Sequence, residues 1–200
     1  MSTKRKKKIW GIGSGTFIIL IIIFISIMTW YYPLSPFSVN QSFTYHPGWE
    51  IHNGKTYKEE LNEFKATYEK DLKESSASHN INFTVDRTQY ILPIFEQQWL
   101  IGTDPKSMDK DKLSTMLFDV ERARNTLLDL VSEGDYKKEE KEYLVDNIKI
   151  FLSLEESIRQ IKDGKYFSRR DLQTLFGNLR GGFRSEFNFY TTNFYDRSNE

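Results

Sequence analysis

The chain has 200 residues, no cysteine, and 28 basic residues against 28 acidic ones, so its formal net charge is zero. Without cysteine it can form no disulfide and carry no lipid on a thiol. Five basic residues and no acidic one precede residue 9, which leaves 23 basic against 28 acidic residues, or −5, for the remainder. Nucleic-acid-binding domains need a basic field, and this distribution argues against one.

Residues 9–31 are predicted to be a membrane-spanning signal anchor. The stretch contains no charge and is apolar without interruption from Ile18 to Ile25, and about 20 apolar residues cross the hydrocarbon core. Trp10 and Trp30 are separated by about 30 Å of helix, which matches the two aromatic belts of a bilayer. The basic cluster before the span predicts a cytoplasmic N-terminus. It consists of Lys4, Arg5, Lys6, Lys7 and Lys8.

A cleavable signal peptide is the alternative, but it requires small residues just after the apolar core. Ile25, Ile27 and Met28 occupy that region, so the sequence favours an uncleaved anchor. Gly11 and Gly15 have the spacing that lets membrane helices approach closely. They predict weak self-association, although glycine is also simply common in such helices.

The chain divides into four parts: a basic cytoplasmic tail (1–8), the anchor (9–31), a stem (32–54) and an extracytoplasmic helical domain (55–200). Pro33 and Pro36 predict an extended, polyproline-like stem. Two β-favouring triplets, at residues 43–45 and 49–51, flank the turn signal His46-Pro47-Gly48. They permit a small membrane-proximal β-hairpin that packs through Trp49.

From Lys55 onward the apolar residues recur at helical spacing. The first helix is expected to end in the polar loop 75–80. A second is expected from about Asp86, kinked or started near Pro93, and ended by Gly102. A buried extended segment is the alternative for that second region. Two long amphipathic helices, Ser107–Glu133 and Asp135–Lys162, are separated by Gly134 alone, which predicts an αα-hairpin.

Ser168-Arg169-Arg170-Asp171 resembles a helix capping box. The helix that follows is expected to bend or break at Gly181-Gly182, because glycine costs about 1 kcal/mol in a helix interior. The predicted fold class is therefore all-α: one N-terminal transmembrane helix followed by an extracytoplasmic bundle of four to five helices.

We find no pattern that predicts catalysis, and we expect neither enzymatic activity nor a cofactor. His46, Glu50 and His52 are metal-ligand types close in sequence, but zinc sites usually offer three or four well-spaced ligands. Acidic pairs such as Glu139-Glu140 lie among lysines, as on a solvated helix face. No metal site is predicted.

Arginine and aromatic residues alternate near the C-terminus, and both types are enriched at protein–protein hot spots. The candidate partner-binding residues are Arg180, Arg184, Phe189, Phe194 and Tyr195. An aromatic core stripe is the alternative, and periodicity favours it for Phe176, Phe183 and Phe187.

The functional hypothesis is a membrane-anchored, non-enzymatic helical module that contacts the lipid bilayer and binds an envelope protein, with no nucleic acid. The absence of cysteine suits the outer face of a Gram-positive cell. The alternative is a ligand-binding or sensing bundle, with a pocket lined by Trp99, Phe95 and C-terminal aromatics, that signals through a membrane partner. A wall glycosidase is a third hypothesis.

Overall fold

The computed structural model describes residues 3–48, 51–52, 54–77 and 82–198, and it describes side chains for residues 15–48, 54–77 and 82–198. It is mostly helical with few strands, which agrees with the predicted all-α class and helical bundle. Among the described residues the bundle contains four long helices. They are α2 (Tyr57–Ala77), α5 (Lys110–Glu133), α6 (Lys138–Asp163) and α7 (Arg169–Phe189).

Helix α1 (Thr3–Tyr31) precedes the bundle. The predicted extended stem after it is wrong, because the chain turns back at once and becomes buried. Leu34 and Ser35 are 1% and 0% exposed. Two turn bonds fold this segment, from Ser35 N to Tyr32 O at 3.0 Å and from Ser38 N to Ser35 O at 3.1 Å. The two prolines therefore stiffen a compact turn and do not extend a spacer.

The predicted hairpin is also wrong in its pairing. Strand β1 (Ser42–Tyr45) pairs antiparallel with β4 (Lys106–Asp109), and Phe43 lies opposite Met108. Residues 107–109, expected to be helical, therefore form a strand, and Asp109 caps α5 by accepting from Lys112 N at 2.8 Å. A separate minimal hairpin joins β2 (Ile51–His52) to β3 (Lys55–Thr56). Trp49 and Glu50 lie outside the described residues.

The region around Pro93 is helical but broken, as the kink prediction requires. Helix α3 (Phe83–Ile91) begins at Asn82, whose side chain accepts from Val85 N. A 3₁₀ turn (Leu92–Phe95) contains Pro93 near its start, and α4 (Gln98–Ile101) ends at Gly102. Because proline removes a backbone donor, the α-helical bonding stops there and the tighter turn replaces it.

Helices α5 and α6 form the predicted αα-hairpin. Helix α7 begins at the predicted cap, where Ser168 accepts from Asp171 N at 3.2 Å and the Asp171 carboxylate accepts from Ser168 N at 3.0 Å. The predicted break at Gly181-Gly182 is wrong, because α7 continues to Phe189. A Cβ added at Gly182 would lie 2.9 Å from Leu154 Cδ2, so this glycine permits close packing of α7 on α6.

After Phe189 the helix widens into a π-helical segment (Tyr190–Tyr195), and the short α8 (Asp196–Ser198) follows. The bundle core contains a large aromatic cluster that centres on α7. Phe187 makes edge-to-face contacts with Tyr57, Phe64 and Phe95 at centroid distances of 5.4–5.7 Å. The core thus joins α2, the 3₁₀ turn and α7, and buried aromatic pairs of this kind add about 0.5–1.5 kcal/mol each beyond burial.

Candidate functional site

The C-terminal end of α1 is held by the first residue of α7. The Arg169 guanidinium donates from Nε to the Trp30 carbonyl oxygen at 2.6 Å and lies 5.6 Å from the centroid of the Trp30 ring. The last carbonyls of a helix lack helical partners and carry partial negative charge, so a cation there is stabilising. The capping box at Ser168 fixes where α7 begins and thereby places Arg169. Its hydrogen bonds also lower the pKa of Asp171.

Packing around this contact joins α1 directly to the bundle. Met28 on α1 is 8% exposed, and the Tyr32 ring makes an edge contact with Tyr166 at 6.2 Å. Leu34 belongs to the core cluster. The helical domain therefore sits against the end of α1 without a free stem between them.

Helix α1 exposes large apolar side chains around its whole circumference. Phe17 through Phe24 are each 41–65% exposed, and Trp30 and Tyr31 are 68% and 58% exposed. A helix that is apolar on every side is typical of a buried or membrane environment. Within the described part of the chain, however, no helix satisfies the joint requirement of length and apolarity for crossing a membrane.

Several predicted anchor features fall outside this description. The side chains of Trp10 and of the basic cluster at residues 4–8 are not among the described ones, and the same holds for Gly11. Gly15 is described, and a Cβ added there would meet no atom within 4 Å. Its face is therefore uncovered, and self-association through Gly11 and Gly15 stays a prediction.

An apolar groove of about 470 Å³ opens between α4, β4 and α5. Trp99, Met108 and Met116 are 6%, 2% and 3% exposed and form its apolar part. Its remaining residues are Gln97, Gln98, Lys106, Ser107, Lys112, Thr115 and Asp119. The volume is within the range of small-molecule sites, about 300–1,000 Å³. Of the lining predicted for a ligand pocket, only Trp99 is present, because Phe95 and the C-terminal aromatics lie elsewhere in the core.

Polar groups at this groove are already ordered. The Trp99 indole Nε1 donates to Gln97 Oε1 at 2.6 Å, and the Lys112 ammonium donates to the Ser107 carbonyl oxygen at 2.7 Å. Two lysines and one aspartate surround an apolar wall, so the groove matches a ligand with an apolar body and an anionic end.

Arg180 is buried inside the bundle, so its prediction as a partner-binding residue on the surface is corrected. It is 4% exposed, and its guanidinium donates to Gly48 O at 2.8 Å, Leu100 O at 3.2 Å and Gly102 O at 3.5 Å. A guanidinium can serve several carbonyls at once because its donors form a fixed fork. Arg180 therefore ties the loop after β1 and the C-terminal end of α4 to α7.

Arg184 is buried too, at 8% exposure. It lies over the Tyr57 ring, 5.3 Å from the centroid, and so links α7 to the start of α2. Burial and this cation–π contact indicate a packing role. Arg180 and Arg184, which are four positions apart on α7, thus both face inward, and the prediction of Arg184 as a surface residue is corrected.

Of the three C-terminal aromatics predicted to contact a partner, Phe194 and Tyr195 are 0% and 1% exposed. The Tyr195 hydroxyl donates to Asp71 Oδ2 at 2.9 Å, and Phe194 contacts the Tyr136 ring at 5.5 Å. Phe189 is partly buried against Tyr143. The prediction that Phe194 and Tyr195 form an exposed surface is corrected, because the π-helical segment places these two rings in the core. For Phe189, which precedes that segment, partner binding stays a prediction.

Sequence reasoning overlooked a buried acid. Glu186 is 0% exposed, and neither carboxylate oxygen has a hydrogen-bond partner among the described residues. Burial raises the pKa of Glu186 well above its usual range. The signal was present in the sequence, since Glu186 follows Phe183 by three positions and precedes Tyr190 by four, on the apolar face of α7.

Asn147 of α6 is the other buried polar residue on this interface. Its Nδ2 donates to Tyr143 O at 2.7 Å, whereas its Oδ1 has no partner among the described atoms. Asn147 and Glu186 both lie in the stretch bounded by the Gly182–Leu154 contact and the Tyr143–Phe189 ring pair. The tightly packed α6–α7 interface therefore contains two poorly satisfied polar groups, which are costly in a protein interior.

The outer seam of the α5–α6 hairpin combines charge with exposed leucines. Glu155 is 2% exposed and accepts from Arg124 Nε at 2.6 Å and from Arg159 at 3.1 Å. Leu128 and Leu152 are 43% and 46% exposed, each about one turn nearer to the hairpin loop than the Arg124–Glu155 pair. We call Leu128 and Leu152 the seam leucines. Because they lie at the same height along the α5–α6 hairpin, they give the domain an exposed apolar spot beside an ordered ion-pair network.

No three histidine, aspartate or glutamate side chains come together as metal ligands within the described residues. His46 is exposed there, and its backbone N and O contact the Gln173 amide. Glu50 and the side chain of His52 lie outside the description. The chain matches no family model, no curated protein and no solved structure.

Proposed function

We propose that this chain is a single-pass membrane protein whose helical domain lies outside the cytoplasm and binds another protein of the cell envelope without catalysing a reaction. The observation that carries the proposal is the exposure of apolar side chains around all of Phe17–Phe24, on a helix whose end is clamped to the bundle. Residues 9–14, which begin the proposed span, lie outside the described side chains.

The contact between Arg169 and Trp30, which we call the clamp, supports a role for the membrane helix in positioning the domain. Because Arg169, Met28 and Leu34 hold the bundle against α1, a fixed surface of the domain would face neighbouring envelope proteins at a fixed height. Preorganisation of this kind lowers the entropic cost of binding. The seam leucines are the exposed apolar spot that we assign to partner contact.

Topology can be tested cleanly because the chain has no cysteine. We expect a single cysteine at the exposed Ser153 to react with a membrane-impermeant maleimide on intact cells. A single cysteine at Ser2 should react only after permeabilisation, and both variants should stay in the membrane fraction after an alkaline carbonate wash. Release by that wash, or the reverse labelling pattern, would overturn the anchoring.

Partner binding is tested separately by a photo-crosslinking residue placed at Leu152 in the full-length protein. We expect a discrete crosslinked species in native membranes that disappears in the Leu128→Glu variant. The control position is Ser153, which is exposed and adjacent on α6 but off the seam. Equal crosslinking at both positions would mean random collision and would refute the seam as the contact.

The groove beside Trp99 favours a second candidate function, the binding of a small amphiphilic ligand. The probe is 1-anilinonaphthalene-8-sulfonate, which has an apolar body and one anionic group. Thr115→Trp should block its binding, because Thr115 is an exposed residue at the groove. Ser114→Trp, exposed on the same helix but outside the groove, is the matched control. Equal dye binding by both variants would remove this candidate.

A further inference from the structure

The turn at residues 33–39 folds back along α1. The Phe37 ring makes an edge contact with Phe24 at 5.5 Å, and Val39 N donates to Thr29 Oγ1 at 3.1 Å. Phe24 precedes Tyr31, the last residue of α1, by seven positions, which is about 10 Å of helix. Phe37 therefore lies beside the helix well before its end.

The position of Phe37 beside Phe24 determines how deeply the turn would lie in a membrane. If Trp30 and Tyr31 occupy the headgroup level, as aromatic residues at the end of a span do, Phe24 lies within the hydrocarbon. Phe37 and Val39 are 49% and 74% exposed at that side of the helix. Exposing these apolar side chains to water is unfavourable, whereas contact with lipid acyl chains is favourable for them.

Part of the backbone of the turn is hydrogen-bonded internally. Pro33 and Pro36 have no N–H to satisfy, and the N–H groups of Ser35, Ser38 and Val39 donate within the turn or to Thr29. Irregular backbone at membrane depth requires internal partners of this kind.

The exit from the turn is constrained as well. Gln41 has a φ of 42°, in the left-handed region, just before β1 begins. A residue other than glycine rarely adopts this conformation, because its Cβ crowds the following carbonyl oxygen. The hydrogen bond from Gln41 N to Ser38 Oγ at 3.3 Å ties it to the turn. Several contacts therefore hold the folded-back arrangement and offset the backbone strain at Gln41.

We propose that the 33–39 turn inserts Phe37 and Val39 among the acyl chains of the outer leaflet and gives the domain a second membrane contact beside α1. The proposal rests on the membrane anchoring proposed above. Lipid is the occupant because the exposed apolar side chains continue the exposed apolar surface of α1, from Phe24 onward.

The experiment uses the full-length protein reconstituted alone in phosphatidylcholine–phosphatidylglycerol vesicles, so that no other protein can cover the turn. Single cysteines at Val39, Ile22 and Thr44 are labelled with an environment-sensitive fluorophore, and lipids bearing a spin label on the acyl chain serve as quencher. Ile22 reports the span, and Thr44, exposed on β1, is the control outside it.

We expect a clear loss of fluorescence at Val39, smaller than that at Ile22 because Val39 lies beside Thr29 near the end of α1, and no loss at Thr44. If Ile22 is quenched while Val39 behaves like Thr44, the anchor stands and the inserted turn is refuted. If neither Ile22 nor Val39 is quenched, the membrane anchoring itself fails and the insertion fails with it.

Discussion

The Arg169 guanidinium donates to the carbonyl oxygen of Trp30 at 2.6 Å, so a residue at the start of α7 completes the hydrogen bonding at the end of α1. These residues are separated by 139 positions in the chain. The contact fixes the position of the helical domain relative to the end of α1.

Replacing Arg169 with Met should loosen this boundary without unfolding the bundle. The loss of one charge-assisted contact at a helix C-terminus is worth roughly 1 kcal/mol. Amide hydrogens at residues 35–39 should consequently exchange about fivefold faster in hydrogen–deuterium exchange. Arg170→Met, an adjacent and exposed change, should leave the exchange unaltered; if both variants match the wild type, the clamp has no energetic role.

Arg180→Lys should destabilise the domain by about 1–3 kcal/mol, because a lysine ammonium cannot reproduce the fork that serves three carbonyl oxygens. Urea unfolding followed by circular dichroism measures this difference. The matched control is Arg170→Lys at an exposed site, which should be neutral. Equal stability of the two variants would contradict the bridging role of Arg180.

Phe194→Ala should cost about 3–5 kcal/mol, since it empties a fully buried aromatic site. Tyr195→Phe retains the ring and removes only the hydrogen bond to Asp71, so we expect a loss of about 0.5–1.5 kcal/mol. Thermal unfolding distinguishes the two. Wild-type stability of the Phe194→Ala variant would contradict the burial of Phe194 in the core.

Glu186→Gln should stabilise the domain at neutral pH. The folded-state pKa of Glu186 is raised, so the stability associated with its neutral form is complete below the unfolded pKa, about 4.3, and is lost as pH rises toward the folded value. Glutamine stays neutral throughout. The melting temperature of the variant should exceed that of the wild type by a few degrees at about pH 7.

The same pair of proteins should have closely similar melting temperatures at about pH 3, where Glu186 is protonated in both folded and unfolded chains. Other titrating groups are common to both proteins and cancel in the difference. A difference between the variants that does not change with pH would show that Glu186 does not titrate during unfolding in this range.

Three glycines of α7 give an internally controlled comparison. A Cβ at Gly177 or Gly181 would meet nothing within 4 Å, whereas one at Gly182 would lie 2.9 Å from Leu154. Alanine at the two open sites should stabilise by about 0.5–1 kcal/mol. At Gly182 the same gain should be offset by overpacking. Equal stabilisation at all three sites would mean that Leu154 moves freely.

Local patterns in the sequence predicted the parts of the fold that depend on neighbouring residues. Helical spacing with Gly134 as the break identified the α5–α6 hairpin, Ser168 and Asp171 identified the start of α7, and Pro93 identified the break before α4. Each of these features is determined within a few residues, by periodicity, capping or the missing proline donor.

The features that the sequence did not reveal depend on distant contacts or on a change of helical period. Strand β1 pairs with residues more than sixty positions later, and its apparent turn signal at Pro47 pointed to a local hairpin. The π-helical turn contains more residues than an α-helical one, so the apolar stripe shifts after Phe189. Phe194 and Tyr195 consequently left the predicted face while remaining in the core.

The location of Tyr190–Tyr195 in the core has a consequence for biosynthesis. These rings complete contacts with residues of α2 and α3, through Asp71 and Thr88, which the ribosome delivers more than a hundred codons earlier. A nascent chain halted before Tyr190 would carry a finished α1 and an open, unfilled bundle. Folding of the domain therefore cannot be completed until residues 190–195 have been synthesised, and chains stalled short of residue 190 should be selectively sensitive to proteolysis.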